Sequence, residues 1–415
     1  MSGTRLAPRI NPAVLLLAAS VVTGGAGYAV QILVARVLGP EAYAPFAFYW
    51  SALYIVVGAL GGVQQEVTRA ASATDTRAPV EASGRGHARV TVFTLAIAAL
   101  VFVVLAATGP VWAPLVFGPE TSYLAWPLIV GAVSYVLVAG LSGALYGVRW
   151  WYALVALIAI DGVLRLIGVL LALAFAPSLS TLAWAVAAPF PLAVVILFPF
   201  ILKRVKPTLD AGYPQLGRNV ARTVVAAAAT SALISGFPAL LAATSTSVPA
   251  SVLGSLTFAL TLTRAPIVIP LLALQSYLIV HFGSAESSLI RRVLRLEGLV
   301  VGAALVLGGL AALLGPATLA FIRHDFVVGP GMFFVIVASS GLVAAMSISG
   351  PAALARSAHT AYTLGWVVAS VVTLGVLLLP LDFDPRVSLA LLAGPLAGCV
   401  VHLVGLRAPR RSLPS

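Results

Sequence analysis

The sequence predicts an all-α integral membrane protein of about twelve transmembrane helices, in two six-helix bundles, with both termini cytoplasmic. Three observations predict it: an overwhelmingly apolar composition, apolar runs of spanning length along the whole chain, and a lopsided placement of basic residues. Of the 415 residues, 61% are hydrophobic and only 9% are charged, and the mean hydropathy is +1.08. A soluble domain carries roughly 25% charged residues because its surface must face water. This chain has too few to cover such a surface, so the bilayer must take its place.

A membrane-spanning helix needs about 20 largely apolar residues. That length picks out runs near 12–35, 42–66, 90–108, 121–146, 151–175, 181–202, 223–243, 250–281, 296–318, 331–355, 361–380 and 387–406. The first follows Arg5 and Arg9, as a secretory leader would. It continues through Tyr28 and Val34 without an Ala-x-Ala cleavage site, so it reads as a first span. The run at 250–281 is too long for one straight span. It is expected to tilt, to bend at Pro266 and Pro270, or to run on into the cytoplasm.

Arg and Lys accumulate in cytoplasmic loops. With the N-terminus inside, 19 of the 24 basic residues fall in alternate, cytoplasmic segments. Only Arg36, Arg323 and Arg386 fall outside, while Arg165 and Arg264 lie within spans. That asymmetry fixes an even number of spans. The net charge of +12 is therefore read as loop orientation, and no basic face or module points to a nucleic-acid partner. The polar, basic stretch 203–222, with Pro207, Gly212 and Pro214, divides the spans six and six. The expected organisation is a bundle at 1–202, a cytoplasmic linker at 203–222 and a second bundle at 223–415. A weak repeat between Leu15–Ser72 and Val224–Phe282 agrees with it: each has an apolar helix, a short external turn and a second helix. Glycine pairs at spacing four, Gly58/Gly62, Gly143/Gly147 and Gly394/Gly398, mark close helix packing.

Ionisable residues inside a span cost at least about 2.5–3.5 kcal/mol each to insert, so they are candidate functional groups. Three stand out: Asp161, Arg165 and Arg264. Arg264 is followed by Pro266 and Pro270. It reads either as a cationic group for an anionic headgroup or as an Arg satisfied by carbonyls that the prolines free. Asp161 and Arg165, at i and i+4, share one helical face and can pair. They read as a self-neutralised structural pair or as one side of a polar cavity. Gln64, Gln65, Glu66 and Arg69 close the second span, with Gln275 and His281 in a comparable stretch of the eighth. These read as interfacial polar groups or as the lining of a cytoplasmic vestibule, which makes Gln65 and Gln275 candidate substrate contacts. His87, His324, His359 and His402 sit in loops or near span ends and suggest neither a metal nor a proton relay. The single thiol, Cys399, reads as a small core residue. No catalytic triad, paired carboxylates or phosphate loop appears, so neither catalysis nor a cofactor is expected.

One stretch is more specific. The run Gln31-Ile-Leu-Val-Ala-Arg36-Val-Leu-Gly39-Pro40-Glu-Ala-Tyr43-Ala-Pro-Phe46 resembles the A-R-x-L-G-P-x-x-Y-G-x-F stretch of bacterial polysaccharide biosynthesis proteins. These are oligosaccharide-lipid flippases of the multidrug/oligosaccharidyl-lipid/polysaccharide exporter superfamily. Gly61-Gly62 and Thr68-Arg69 follow where that family often has a Gly-rich helix end and a basic residue. Ala44 replaces the Gly that usually follows the Tyr. The resemblance implies alternating access by two bundles around a central cavity, in a bacterial cytoplasmic membrane. The implied cargo is an undecaprenyl-pyrophosphate-linked glycan moved to the external leaflet, and glycan-assembly membrane proteins and membrane lipids are the implied partners. A cationic-drug exporter of the same superfamily is the alternative, but its cavity would need carboxylates, and Asp161 is the one candidate. A membrane-embedded glycan polymerase or ligase would carry large external loops. The longest here, 109–120 and 319–330, have about a dozen residues each.

Overall fold

The computed structural model describes residues 12–75, 88–202, 209, 211–283, 289–356 and 358–407. Among them the chain is helical apart from short links. The order is α1 (Pro12–Asp75), α2 (Val90–Phe117), a 3-10 turn (Ser122–Leu124), α3 (Ala125–Gly147), α4 (Trp151–Phe175), α5 (Leu179–Ala187), α6 (Pro189–Leu202), α7 (Tyr213–Ile234), α8 (Phe237–Thr244), α9 (Ala250–Gly283), α10 (Leu289–Ile322), α11 (Pro330–Ala355), α12 (His359–Leu377) and α13 (Phe383–Arg407). Helices dominate because the bilayer offers no partner for a bare N–H or C=O, and a helix satisfies its own.

Among the described residues nine helices are long and apolar enough to cross a membrane, or ten with the bent pair α7–α8 taken as one span; counting α1 as two around its kink and adding the 34-residue α9 brings the number to the expected twelve. Three boundaries differ from expectation. The turn expected at 38–42 is a kink at Gly39 (φ 76°, ψ 174°), with helix resuming at once through Pro40. This region of backbone space is nearly closed to residues with a Cβ, and Pro is well tolerated in the first turn of the resumed helix. The span expected at 223–243 begins earlier, at Tyr213, and breaks at Ser235–Gly236, where α8 turns by 73°. Pro238 has no N–H to continue the ladder, which favours a break there. The span expected from 296 starts at Leu289, two turns earlier, which sets Glu297 two turns inside the helix.

Two compact units form. One comprises residues up to Val30 with Leu60–Pro110 and Leu124–Val224; the other comprises Gln31–Ala59, Val111–Tyr123 and Val225–Ser415. Within the first, Ala88 and Leu209 join by a backbone hydrogen bond of 2.9 Å, which ties the start of α2 to the link before α7. Within the second, α11 is the central helix. Ser339, Ser340, Ser347 and Ser349 on it are all fully buried; the first three hydroxyls donate to a carbonyl one turn back, and that of Ser349 lies within reach of both the Ala345 carbonyl and His402. Small side chains that satisfy themselves this way let neighbouring helices approach closely. Gly398 of α13 shows how closely: a Cβ there would come within 2.8 Å of the Gly365 carbonyl oxygen. By contrast, α10 exposes Leu299, Val306, Leu310, Leu313 and Phe321. That apolar stripe suits acyl chains and would be untenable in water.

Candidate functional site

Four groups of polar residues lie within apolar helices, two in each unit. In the first unit, Arg165 of α4 is 4% exposed and fully engaged. Its Nη2 donates to Asp161 Oδ1 at 2.8 Å, its Nε donates to the Val186 carbonyl at 3.3 Å, and its guanidinium lies 5.0 Å from the centre of the Phe190 ring. The i, i+4 pair anticipated from the sequence is formed. It is also held by the break between α5 and α6, where the Val186 carbonyl and Phe190 converge on it.

The second group in that unit centres on Glu66, near the end of α1. Arg69 grips it in bidentate fashion at 2.9 and 2.6 Å, and Asn219 of α7 donates to it at 2.8 Å. One turn away, Thr223 donates to the Gly62 carbonyl at 2.9 Å. A Cβ on Gly62 would come within 2.6 Å of the Val224 backbone nitrogen. Glu66 is thus buried and paired. Gln65, its neighbour in sequence, points outward and is exposed. Gln275 and His281 lie on α9, but their side chains fall outside the described set.

In the second unit, Arg264 is 7% exposed. It sits fourteen residues after Ala250 on α9, roughly 21 Å along the helix at 1.5 Å per residue. Its Nε and Nη1 are buried and have no hydrogen-bond partner among the described residues. Among the described residues, no backbone carbonyl bonds either of those two nitrogens. A guanidinium cannot shed its charge readily, and it presents a planar fork suited to carboxylate or phosphate. Desolvated in this way, it is a group that gains from an anionic ligand.

The fourth group was not anticipated. Glu297 of α10 is 7% exposed, with Oε1 unpartnered among the described residues. His402 of α13, expected near a span end, is fully buried. It is bonded to Ser349 Oγ and to the Tyr362 carbonyl, each at 3.1 Å. An earlier start for α10 was the signal needed: Arg291, Arg292 and Arg295 sit on the helix's first turns, not before it.

The stretch Gln31–Phe46 also has a structural role. Tyr43 donates to Gln31 Oε1 at 2.9 Å, and its ring packs edge-on against Phe258 and Phe326. Arg323 Nη1 bonds the carbonyls of both Arg36 and Val37 at 3.0 Å.

Together these features define a polytopic membrane protein with the fold of the multidrug/oligosaccharidyl-lipid/polysaccharide exporter superfamily, the one to which Gln31–Phe46 pointed. The lipid II flippase MurJ, in an inward closed conformation, superposes with a TM-score of 0.72 over 95% of this chain and 88% of its own, at 11% identity. An inward-facing multidrug resistance MATE family transporter gives a TM-score of 0.66 over 95% and 96% of the two chains, at 13% identity. A transporter of the superfamily from Pyrococcus furiosus, described by the reversed polarity of its binding pocket, gives 0.58 over 96% and 95%, at 12% identity. The chain belongs to a family with uncharacterized proteins of Mycobacterium tuberculosis and Mycobacterium bovis, which are 34% identical over 94% of this chain and 90% of their own length. No family model matches it.

Proposed function

We propose that the protein moves an anionic lipid-linked oligosaccharide, of the polyprenyl-pyrophosphate class, from the cytoplasmic to the external leaflet of a bacterial cytoplasmic membrane. It would do so by alternating access, with both termini inside and no catalytic step. The observation that carries this reading is Arg264: a buried cation midway along α9 with two nitrogens that find no partner among the described residues. A pyrophosphate supplies acceptors in the geometry that a guanidinium fork prefers. A hydrophobic cation would meet repulsion there. The other buried basic group, Arg165, already neutralises Asp161, which removes from a drug-exporter cavity the one carboxylate that the sequence offered it. Lipid-linked glycan, surrounding lipid and the glycan-assembly machinery are the expected partners.

The test is complementation of a strain lacking the gene. Arg264→Ala should insert normally and abolish glycan export, whereas Arg264→Lys, a point charge without the fork, should restore part of it. Normal surface glycan with the Ala variant removes Arg264 from the mechanism. Drug sensitivity with normal glycan would favour an exporter of cations.

A further inference from the structure

Glu297 differs from the other buried acids. Asp161 has Arg165 and Glu66 has Arg69, but among the described residues no basic side chain forms an ion pair with Glu297. It sits eight residues after Leu289, the start of α10, with its Oε1 buried and unpartnered among the described residues. An isolated carboxylate in that setting is very costly, and such a group relieves the cost by taking a proton. Val293 and Val300, one turn either side of it on α10, pack in one cluster with Ile348 and Ala352 of α11 and Leu406 of α13, which sets Glu297 against the stretch of α11 that holds Ser349 and the end of α13 that holds His402. Tyr362 of α12 closes the other side of His402.

The hydrogen bonds around His402 define its state. The Tyr362 carbonyl can only accept, so Nε2, 3.1 Å away, carries the hydrogen. In the neutral ring Nδ1 is then an acceptor, and the Ser349 hydroxyl 3.1 Å away donates to it. If Nδ1 gains a proton it becomes a donor, and Ser349 must accept. The freed Ser349 hydrogen then turns to another acceptor, either the Ala345 carbonyl at 3.2 Å or the Glu297 carboxylate. The hydroxyl is thus a reversible link between two titratable groups, and its direction reports where the proton resides.

We infer that Glu297 and His402, bridged by Ser349, form a buried proton-binding site within the packed ends of α10, α11 and α13. No group of three His, Cys, Asp or Glu side chains that could hold a metal occurs among the described residues, and a proton needs only this pair. The inference does not depend on the identity of the cargo.

The test is pH-titrated difference infrared spectroscopy on the full-length protein in liposomes. The chain has only 12 acidic residues, so a buried protonated-carboxyl band should be resolvable. The wild type should show such a band titrating away from the bulk carboxylates, and Glu297→Gln should abolish it. Ser349→Ala should shift its midpoint while leaving the amplitude, a change that a purely structural serine would not cause. His402→Gln should also move it, and these two variants decide the matter if Glu297→Gln fails to fold. A band unchanged in Glu297→Gln would overturn the site. So would a midpoint indifferent to both Ser349→Ala and His402→Gln, or a band that responds to Na+ at constant pH.

Discussion

Arg323 Nη1 lies 3.0 Å from the carbonyl oxygen of Arg36, so a side chain from the α10–α11 link caps the helical stretch that ends at the α1 kink. The Val37 carbonyl accepts from the same nitrogen, and Asp325 Oδ2 holds Nε at 3.0 Å. A basic side chain on the last carbonyls of a helix satisfies groups the helix cannot satisfy itself. Arg323→Ala should destabilise the protein by about 1 kcal/mol, the lower end for hydrogen bonds from a charged group because the side chain is partly exposed. Thermal unfolding in detergent would show this as a lowered midpoint, with Arg323→Lys intermediate. An unchanged midpoint would mean the cap carries no energy.

Gly39 makes the kink possible. Its φ of 76° and ψ of 174° lie where side chains are strongly disfavoured, and the Arg323 guanidinium would sit 3.1 Å from a Cβ. Gly39→Ala and Gly39→Asn should each cost about 1–3 kcal/mol. Asn should give no relief, because this is not the left-handed helical region it tolerates. Folded yield and thermal midpoint check both variants, and recovery with Asn would contradict the assignment.

Adjacent glycines should behave oppositely. Gly62→Ala drives a methyl group to within 2.6–2.8 Å of the α7 backbone at Thr223–Val224, which cannot step aside, whereas a Cβ on Gly61 meets nothing within 4 Å. The first should cost about 1–3 kcal/mol, as overpacking does, and the second should be neutral or slightly stabilising through helix propensity. Comparing the two thermal midpoints isolates the α1–α7 approach.

The Asp161–Arg165 pair separates structural from functional charge. Asp161→Asn alone strands a buried guanidinium and should cost about 3–5 kcal/mol, whereas replacing both residues with similarly sized uncharged groups should cost far less. If the pair serves packing alone, the double variant Asp161→Asn/Arg165→Met inserts stably and exports normally. Loss of export at normal stability would make the pair part of the transport path.

Helix number and rough placement were legible in the sequence because the bilayer imposes a length on every span, and apolar runs record that length directly. The α1 kink was legible as a turn, since Leu38-Gly39-Pro40 breaks helix geometry wherever it occurs. Which face of a span points inward was not legible. In water a helix shows burial as an apolar stripe, but in lipid both faces are apolar and the stripe vanishes. His402 therefore reads from sequence as a residue near a span end, and nothing in the sequence marks Glu297 or Ser349, although all three are buried. Arg264 and Asp161–Arg165 were found because a charge remains visible against an apolar background. Whether each was paired required coordinates: the spacing of four announced the Asp161–Arg165 bond, and nothing local announced that two nitrogens of Arg264 would find no partner among the described residues.

The most direct test of the central claim is the lipid-linked glycan pool after deletion of the gene. Intermediates should accumulate on the cytoplasmic leaflet, shielded from an externally added glycan-modifying probe. The wild-type gene should clear them and Arg264→Ala should not. A deletion strain whose lipid-linked glycan stays at its normal level and remains fully reachable from outside would contradict the account.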